Sequence, residues 1–287
     1  MNDKILIASD STTDLSPEYI AENNIKILPL GVNLGDKLYI DGVDINPDMI
    51  YEHYENTKEL PKTSACNIGD TEDFFKKYLS EGYSSIVFFT ISSDMSSTYN
   101  NARIAAEGFD NVYVVDSRNL STGGGLLVVS AVEMAKSGMD AKLIAEKCNE
   151  IATRVDASFI IDNLEFLHKG GRCSTVAMLG ANLLQLKPCI GVKGGTMSVG
   201  KKYRGKFGVV LQQYIKDQLS DINDIEKDYI FVTHAGCDAD IVDACVKQVK
   251  DYGVFKNVFV TRAGCTISSH CGRNTLGVLF IRKTVKE

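Results

Sequence analysis

Short apolar runs alternate with amphipathic stretches through the first half of the chain. Ile5–Ser9 reads as a buried strand that leads into the polar loop Asp10-Ser11-Thr12-Thr13-Asp14. Ser16-Pro17 marks a helix start, with serine as cap and proline in the first helical position. Ile25–Leu34 is extended, and Gly35-Asp36 turns it into Leu38–Ile40. Ser85–Thr90 and Asn111–Asp116 are short, β-branched or aromatic runs, and the helical patterns Thr71–Ser80, Ser97–Glu107 and Leu126–Lys136 alternate with them. That alternation predicts right-handed β-α-β units around a mainly parallel sheet with flanking helices.

The second half has a different rhythm. A helix over Ala141–Thr153 and a strand over Ala157–Ile161 precede a polar–apolar mixture, Leu164 to Arg172, and an apolar stretch, Val176–Leu186, that reads as helical. Cys189–Lys193 and Thr196–Lys201 flank Gly194-Gly195, a two-residue hairpin signal. An internal echo follows. Val232-Thr233-His234-Ala235-Gly236-Cys237 and Val260-Thr261-Arg262-Ala263-Gly264-Cys265 differ at one position, with the helical segment Ile241–Tyr252 between them. The echo predicts two adjacent parallel strands, each ending in the same turn. A hairpin joined to such a unit makes a mixed sheet, so the chain divides into an N-terminal α/β domain, 1–155, and a C-terminal mixed α/β domain, 156–287.

Composition narrows the function classes. With 287 residues, 44% hydrophobic and 24% charged, the chain has the balance of a globular protein and the length of two domains. Its formal charge of -6 leaves no basic excess for nucleic-acid binding. No stretch approaches the ~18 apolar residues of a membrane helix, and Ile5 to Ala8 is too short for a signal-peptide core. These features predict a cytoplasmic protein. The eight cysteines include no C-x-x-C pair, which fits buried thiols.

Three strand-end loops are rich in hydroxyls: Ser9 to Thr13, Ser92 to Thr98, and Asp116-Ser117, and the extended segment at Pro61 adds Thr63-Ser64. At the carboxyl edge of a doubly wound sheet such groups suit an anionic head group, or else they cap helices. Other chemistries fit poorly. Gly195 to Lys202 resembles a phosphate-binding loop but lacks the magnesium-binding hydroxyl and sits in a hairpin. Gly123-Gly124-Gly125 lacks dinucleotide-fingerprint spacing and suits a close backbone approach at a helix start. His234, Cys237, Cys265, His270 and Cys271 lack the tight ligand pairs of a structural zinc site. A serine-type acyl hydrolase using the same hydroxyls is the alternative function, although G-x-S-x-G is absent.

Taken in order, these residues resemble the DegV family of bacterial fatty-acid-binding proteins. The resemblance runs from Asp10-Ser11-Thr12-Thr13-Asp14-Leu15 through Pro29-Leu30, Thr63-Ser64, Ser92-Ser93 to Ser96, Thr98-Tyr99 and Asp116-Ser117. It continues through Leu164 to Arg172, Lys187-Pro188, Ile267, His270, Gly272 and Leu276-Gly277. It implies a two-domain α/β fold with a buried acyl pocket between the domains. It further implies a carrier, not an enzyme, that takes a long-chain fatty acid to a separate fatty acid kinase and needs no metal or cofactor. By that resemblance Thr63 and Ser93 hydrogen-bond the carboxylate with His270 close by, and Arg172 and Arg204 face the kinase. The chain departs from the family pattern at Ala65-Cys66-Asn67, at Ser97 and at Arg273-Asn274, and Arg273 is expected to place a cation near the head-group end.

Overall fold

A computed structural model describes residues 4–179 and 186–285. In the first half the strands are β1 (Ile5–Asp10), β2 (Lys26–Leu28), β3 (Gly31–Leu34), β4 (Lys37–Ile40), β5 (Lys62–Ser64), β6 (Ser85–Thr90) and β7 (Val112–Asp116). The helices there are α1 (Pro17–Glu22), α2 (Pro47–Thr57), α3 (Ile68–Ser80), α4 (Thr98–Ala106), α5 (Thr122–Lys136) and α6 (Ala141–Ala152). The apolar runs pair into an all-parallel sheet in the order β2-β1-β6-β7. Ile86, Val87, Phe88 and Phe89 of β6 are fully buried, as expected of a central strand covered on both faces. A small antiparallel sheet, β4-β3-β5, carries the segment around Pro61.

The second half contains β8 (Val155–Ile161), β9 (Leu186–Lys193), β10 (Thr196–Arg204), β11 (Ile225–Ala235), β12 (Asn257–Arg262) and β13 (Thr275–Arg282). With them are α7 (Glu165–Gly170), α8 (Phe207–Gln218), α9 (Ala239–Asp251) and α10 (Cys265–Cys271). Their sheet is mixed, in the order β10-β9-β8-β13-β11-β12, with only β11 and β12 parallel. The echo is explained by register: Val232, Thr233 and His234 lie opposite Val260, Thr261 and Arg262. The helix expected over Val176–Leu186 differs. Its described beginning belongs to the 3-10 segment Ser174–Leu179, Leu186 opens β9, and residues 180–185 lie outside the described residues.

Helix α5 joins the two halves. It touches β1 and β6 of the parallel sheet and β8, β11 and β13 of the mixed sheet. Leu126, Leu127, Val128 and Val129 are fully buried in a cluster that includes Val87, Phe89, Phe231 and Leu279 from both sheets. Each such side chain contributes about 1.5–3 kcal/mol. The triple glycine lets the helix start close in: a Cβ on Gly125 would sit 2.8 Å from the Thr13 carbonyl.

Candidate functional site

The seam between the halves encloses a cavity of about 210 Å³. Leu30, Thr63, Ser96 and Leu120 reach it from the first half, and Arg172, Met197, Ile267 and His270 from the second. Half of the lining residues are aliphatic or thioether, among them Ile91, Met95 and Met197. A smaller void of about 30 Å³ lies against it and shares Leu120, Ile267 and Cys271 before reaching Phe159, Thr233 and Leu279.

Thr63 and His270 form the polar pair. Thr63 sits on β5 opposite Val32, and its hydroxyl lies 2.9 Å from His270 Nε2. His270 comes from α10, where Ile267, His270 and Cys271 share one helical face, three and four residues apart, and all line the cavity. Gly170 makes room for the ring, because a Cβ there would stand 2.6 Å from Nδ1. That Nδ1 is buried and has no hydrogen-bond partner among the described residues. Burial, with the nearby Arg172 charge, pushes His270 down to about 4, so the ring is neutral at pH 7 and offers one N–H.

This state disfavours the hydrolase reading. A threonine or serine nucleophile needs a base near neutral pH that a third group orients. His270 is held too acidic, and its second nitrogen faces no carboxylate among the described residues.

The other residues singled out in the sequence fall in different places. Arg172 is exposed at the cavity rim and donates through Nη1 to the Gly170 carbonyl at 2.7 Å. Arg204 is exposed at the end of β10 and does not line the cavity. Ser93 does not line it either. Its hydroxyl accepts from Arg118 Nη1 at 3.1 Å, and its amide donates to Asp116 at 3.2 Å. Ser96, three residues on, does line the cavity, beside the start of α4, where its hydroxyl lies 3.0 Å from that of Thr98. Serine three residues from serine was the available signal, and only the turn geometry separates them.

Two further expectations change. The hydroxyls in and beside the Asp10–Asp14 loop already have protein partners: Thr12 donates to Asp10 at 2.6 Å, Ser11 to Asp41 at 3.0 Å, and the Ser9 and Thr13 hydroxyls pair at 3.1 Å. It therefore offers no hydroxyl row to a head group. Arg273 lies 4.8 Å from the Tyr51 ring and 3.7 Å from Glu55, on the α2 side and away from the cavity lining. The cysteines form no disulfide, and Cys237 and Cys265 point to different carbonyls, Thr275 and Ile45. Among the described residues no cluster of three or more His, Cys, Asp or Glu is placed to hold a metal, and no helix is long and apolar enough to cross a membrane.

Comparison with known proteins bears on this arrangement. A DegV domain-containing protein of Clostridium acetobutylicum is 31% identical over 286 residues, covering 98% of this chain and all of that protein. A fatty-acid-binding DegV family protein from Thermus thermophilus superposes with a TM-score of 0.87 at 26% identity, covering 97% of this chain and 99% of its own. A stearic acid-binding protein from Eubacterium ventriosum superposes with a TM-score of 0.84 at 28% identity, covering 96% and 98%. The model of the family described as "Uncharacterised protein, DegV family" matches residues 4–283. From near its first residue to near its last, the chain belongs to the DegV family.

Proposed function

We propose that the protein binds one long-chain fatty acid in the seam cavity and presents the carboxylate to a separate fatty acid kinase. It acts as a carrier, and its two units, 1–155 and 156–287, are the cavity walls. The observation that carries the reading is the Thr63–His270 pair, set 2.9 Å apart in a wall that is otherwise mostly apolar. The fatty-acid-binding relatives from T. thermophilus and E. ventriosum support it.

A buried carboxylate needs donors. Where the neutral His270 donates its Nε2–H to Thr63, the Thr63 O–H is left for the carboxylate, and the Ser96 hydroxyl supplies a second donor. Hydrogen bonds to an ionised acceptor are roughly twice as strong as neutral ones. The tail supplies the affinity. About 14 methylenes of a sixteen-carbon chain contribute roughly 11 kcal/mol at ~0.8 each, much of it offset by lost freedom on binding. The open volume is below the roughly 300–1,000 Å³ of usual ligand pockets. Met95 and Met197 in the wall are adaptable side chains that yield to a longer chain. The void beyond Leu120 and Ile267 is the direction in which the tail extends.

Arg172, beside the head group, and Arg204, on the edge strand, form the surface offered to the kinase. The test is reconstituted phosphorylation of bound palmitate, with one acid bound per chain by calorimetry. Arg172→Ala and Arg204→Ala slow phosphorylation while ligand content stays at one per chain. A protein that takes up no acid, or an Arg172→Ala rate equal to wild type, contradicts the respective half of the proposal.

A further inference from the structure

Two acids of the first half, Asp14 in the loop after β1 and Asp41 after β4, reach across the seam. Asp14 accepts the Gly264 amide at 2.8 Å and the Ser121 hydroxyl at 2.5 Å. Asp41, just beyond β4, accepts the Cys265 amide at 2.9 Å, the Thr266 amide at 3.1 Å and the Thr266 hydroxyl at 2.6 Å. Ser11 completes it with a 3.0 Å hydrogen bond. Three successive amides at the start of α10 are therefore satisfied by acids of the other half, separated from them by more than 200 residues of chain. The fit is close: a Cβ on Gly264 would stand 3.2 Å from Asp14 and 3.7 Å from Asp41. Both carboxyl groups are buried, Asp14 at 7% and Asp41 at 4% exposure, and these donors offset the cost of that burial.

Helix α10 is seven residues long. His270 lies five residues from the held end, roughly 7 Å at ~1.5 Å per residue. A short helix fixed at its first turn transmits that position directly to the imidazole. We infer that Asp14 and Asp41 are positioning residues of the head-group site: by capping α10 from the opposite half, they hold His270 against Thr63. This rests on the reading of the cavity as a carboxylate site. The loop that the sequence pattern offered to a ligand instead aligns the group that meets it.

Asp41→Asn tests the inference, because an amide keeps the shape but turns an N–H toward the Thr266 amide. Side-chain NMR of the ligand-free full chain follows the four histidines, with His270→Gln identifying the His270 signal. In Asp41→Asn the His270 titration midpoint rises by about one pH unit or more toward the ordinary ~6.5. The preference for palmitate over methyl palmitate falls roughly tenfold, as for one lost hydrogen bond to a charge. Asp14→Asn moves both in the same direction. If either acid variant does not fold, Thr266→Val removes one donor and gives a smaller shift of the same sign. Val249→Ala, buried in α9 and remote from the seam, lowers melting but leaves the His270 midpoint in place. An unchanged His270 midpoint in the folded Asp14, Asp41 or Thr266 variants overturns the inference. So does an equal shift in Val249→Ala, which would mean general loosening. Wild-type protein without acid preference removes the carboxylate reading, and the ligand-free titration then decides the clamp separately.

Discussion

Thr63→Val asks the sharpest question of the head-group site. Valine keeps the volume and the β-branch that suit β5, so the strand is retained and only the hydroxyl is lost. In the free protein the loss leaves His270 Nε2 without its 2.9 Å partner, while Nδ1 already has none among the described residues. An unsatisfied buried polar group costs about 1–3 kcal/mol. The adjoining cavity of about 210 Å³ has room for water, which puts the stability loss at the low end of that range. In the complex the loss is a hydrogen bond to a charged acceptor, about 1.5–3 kcal/mol, or a tenfold to hundredfold weaker affinity for the acid. The tail contribution is untouched. Displacement of a fluorescent fatty acid by palmitate and by methyl palmitate separates the two parts. Palmitate weakens by that factor, methyl palmitate changes little, and the ratio between them narrows accordingly. If Thr63→Val binds palmitate within a factor of about two of wild type with the ratio intact, the hydroxyl has no head-group role and the reasoning fails. An equal loss for acid and ester would make Thr63 a shape determinant.

The two candidate serines separate in the same assay: Ser96→Ala narrows the acid–ester ratio, whereas Ser93→Ala leaves it unchanged, because Ser93 faces Arg118. The buried imidazole also sets a pH dependence. His270 titrates near 4 when folded and near 6.5 when unfolded, so the unfolded chain binds the extra proton as pH falls through that window. Stability is lost there by up to roughly 3 kcal/mol, and none of this loss occurs above pH 7. Burial raises Asp10 to about 6 and Asp14 to about 8, which gives the opposite trend with acidification. The difference in denaturant stability between wild type and His270→Gln isolates the histidine, and a difference that is flat from pH 7 to 4 would refute the assignment. Burial pushes the thiols of Cys148, Cys237 and Cys271 up to about 12. Native protein at pH 8 therefore alkylates slowly, with the half-buried Cys237 first, and all eight thiols react after denaturation. Rapid labelling of several native cysteines would show that the seam and cores open more readily than the packing implies.

Much of the fold is readable in local pattern because its central strands are buried on both faces and its repeats are in register. The run Ile86 to Phe89 and the echo at Val232 and Val260 are signals of this kind. Helices α2 and α8 escaped the apolar periodicity, although Asn46-Pro47 is a cap-and-proline signal for the first. Thr63, His270 and Arg172 meet at one cavity. Ser93 lies off that cavity, bound to Arg118 from beyond a different strand, and periodicity says nothing about that pairing. The Asp10–Asp14 loop shows the same limit. Its composition announces many hydrogen bonds, but the amides that meet Asp14 and Asp41 belong to residues 264–266.

Native mass spectrometry of the freshly purified full chain weighs the bound ligand itself. One added mass in the long-chain fatty acid range per chain is expected, released as free acid by organic extraction and depleted in Thr63→Val. A chain with no acyl mass that also takes up no added palmitate, or one that turns over acyl esters catalytically, would contradict the carrier reading.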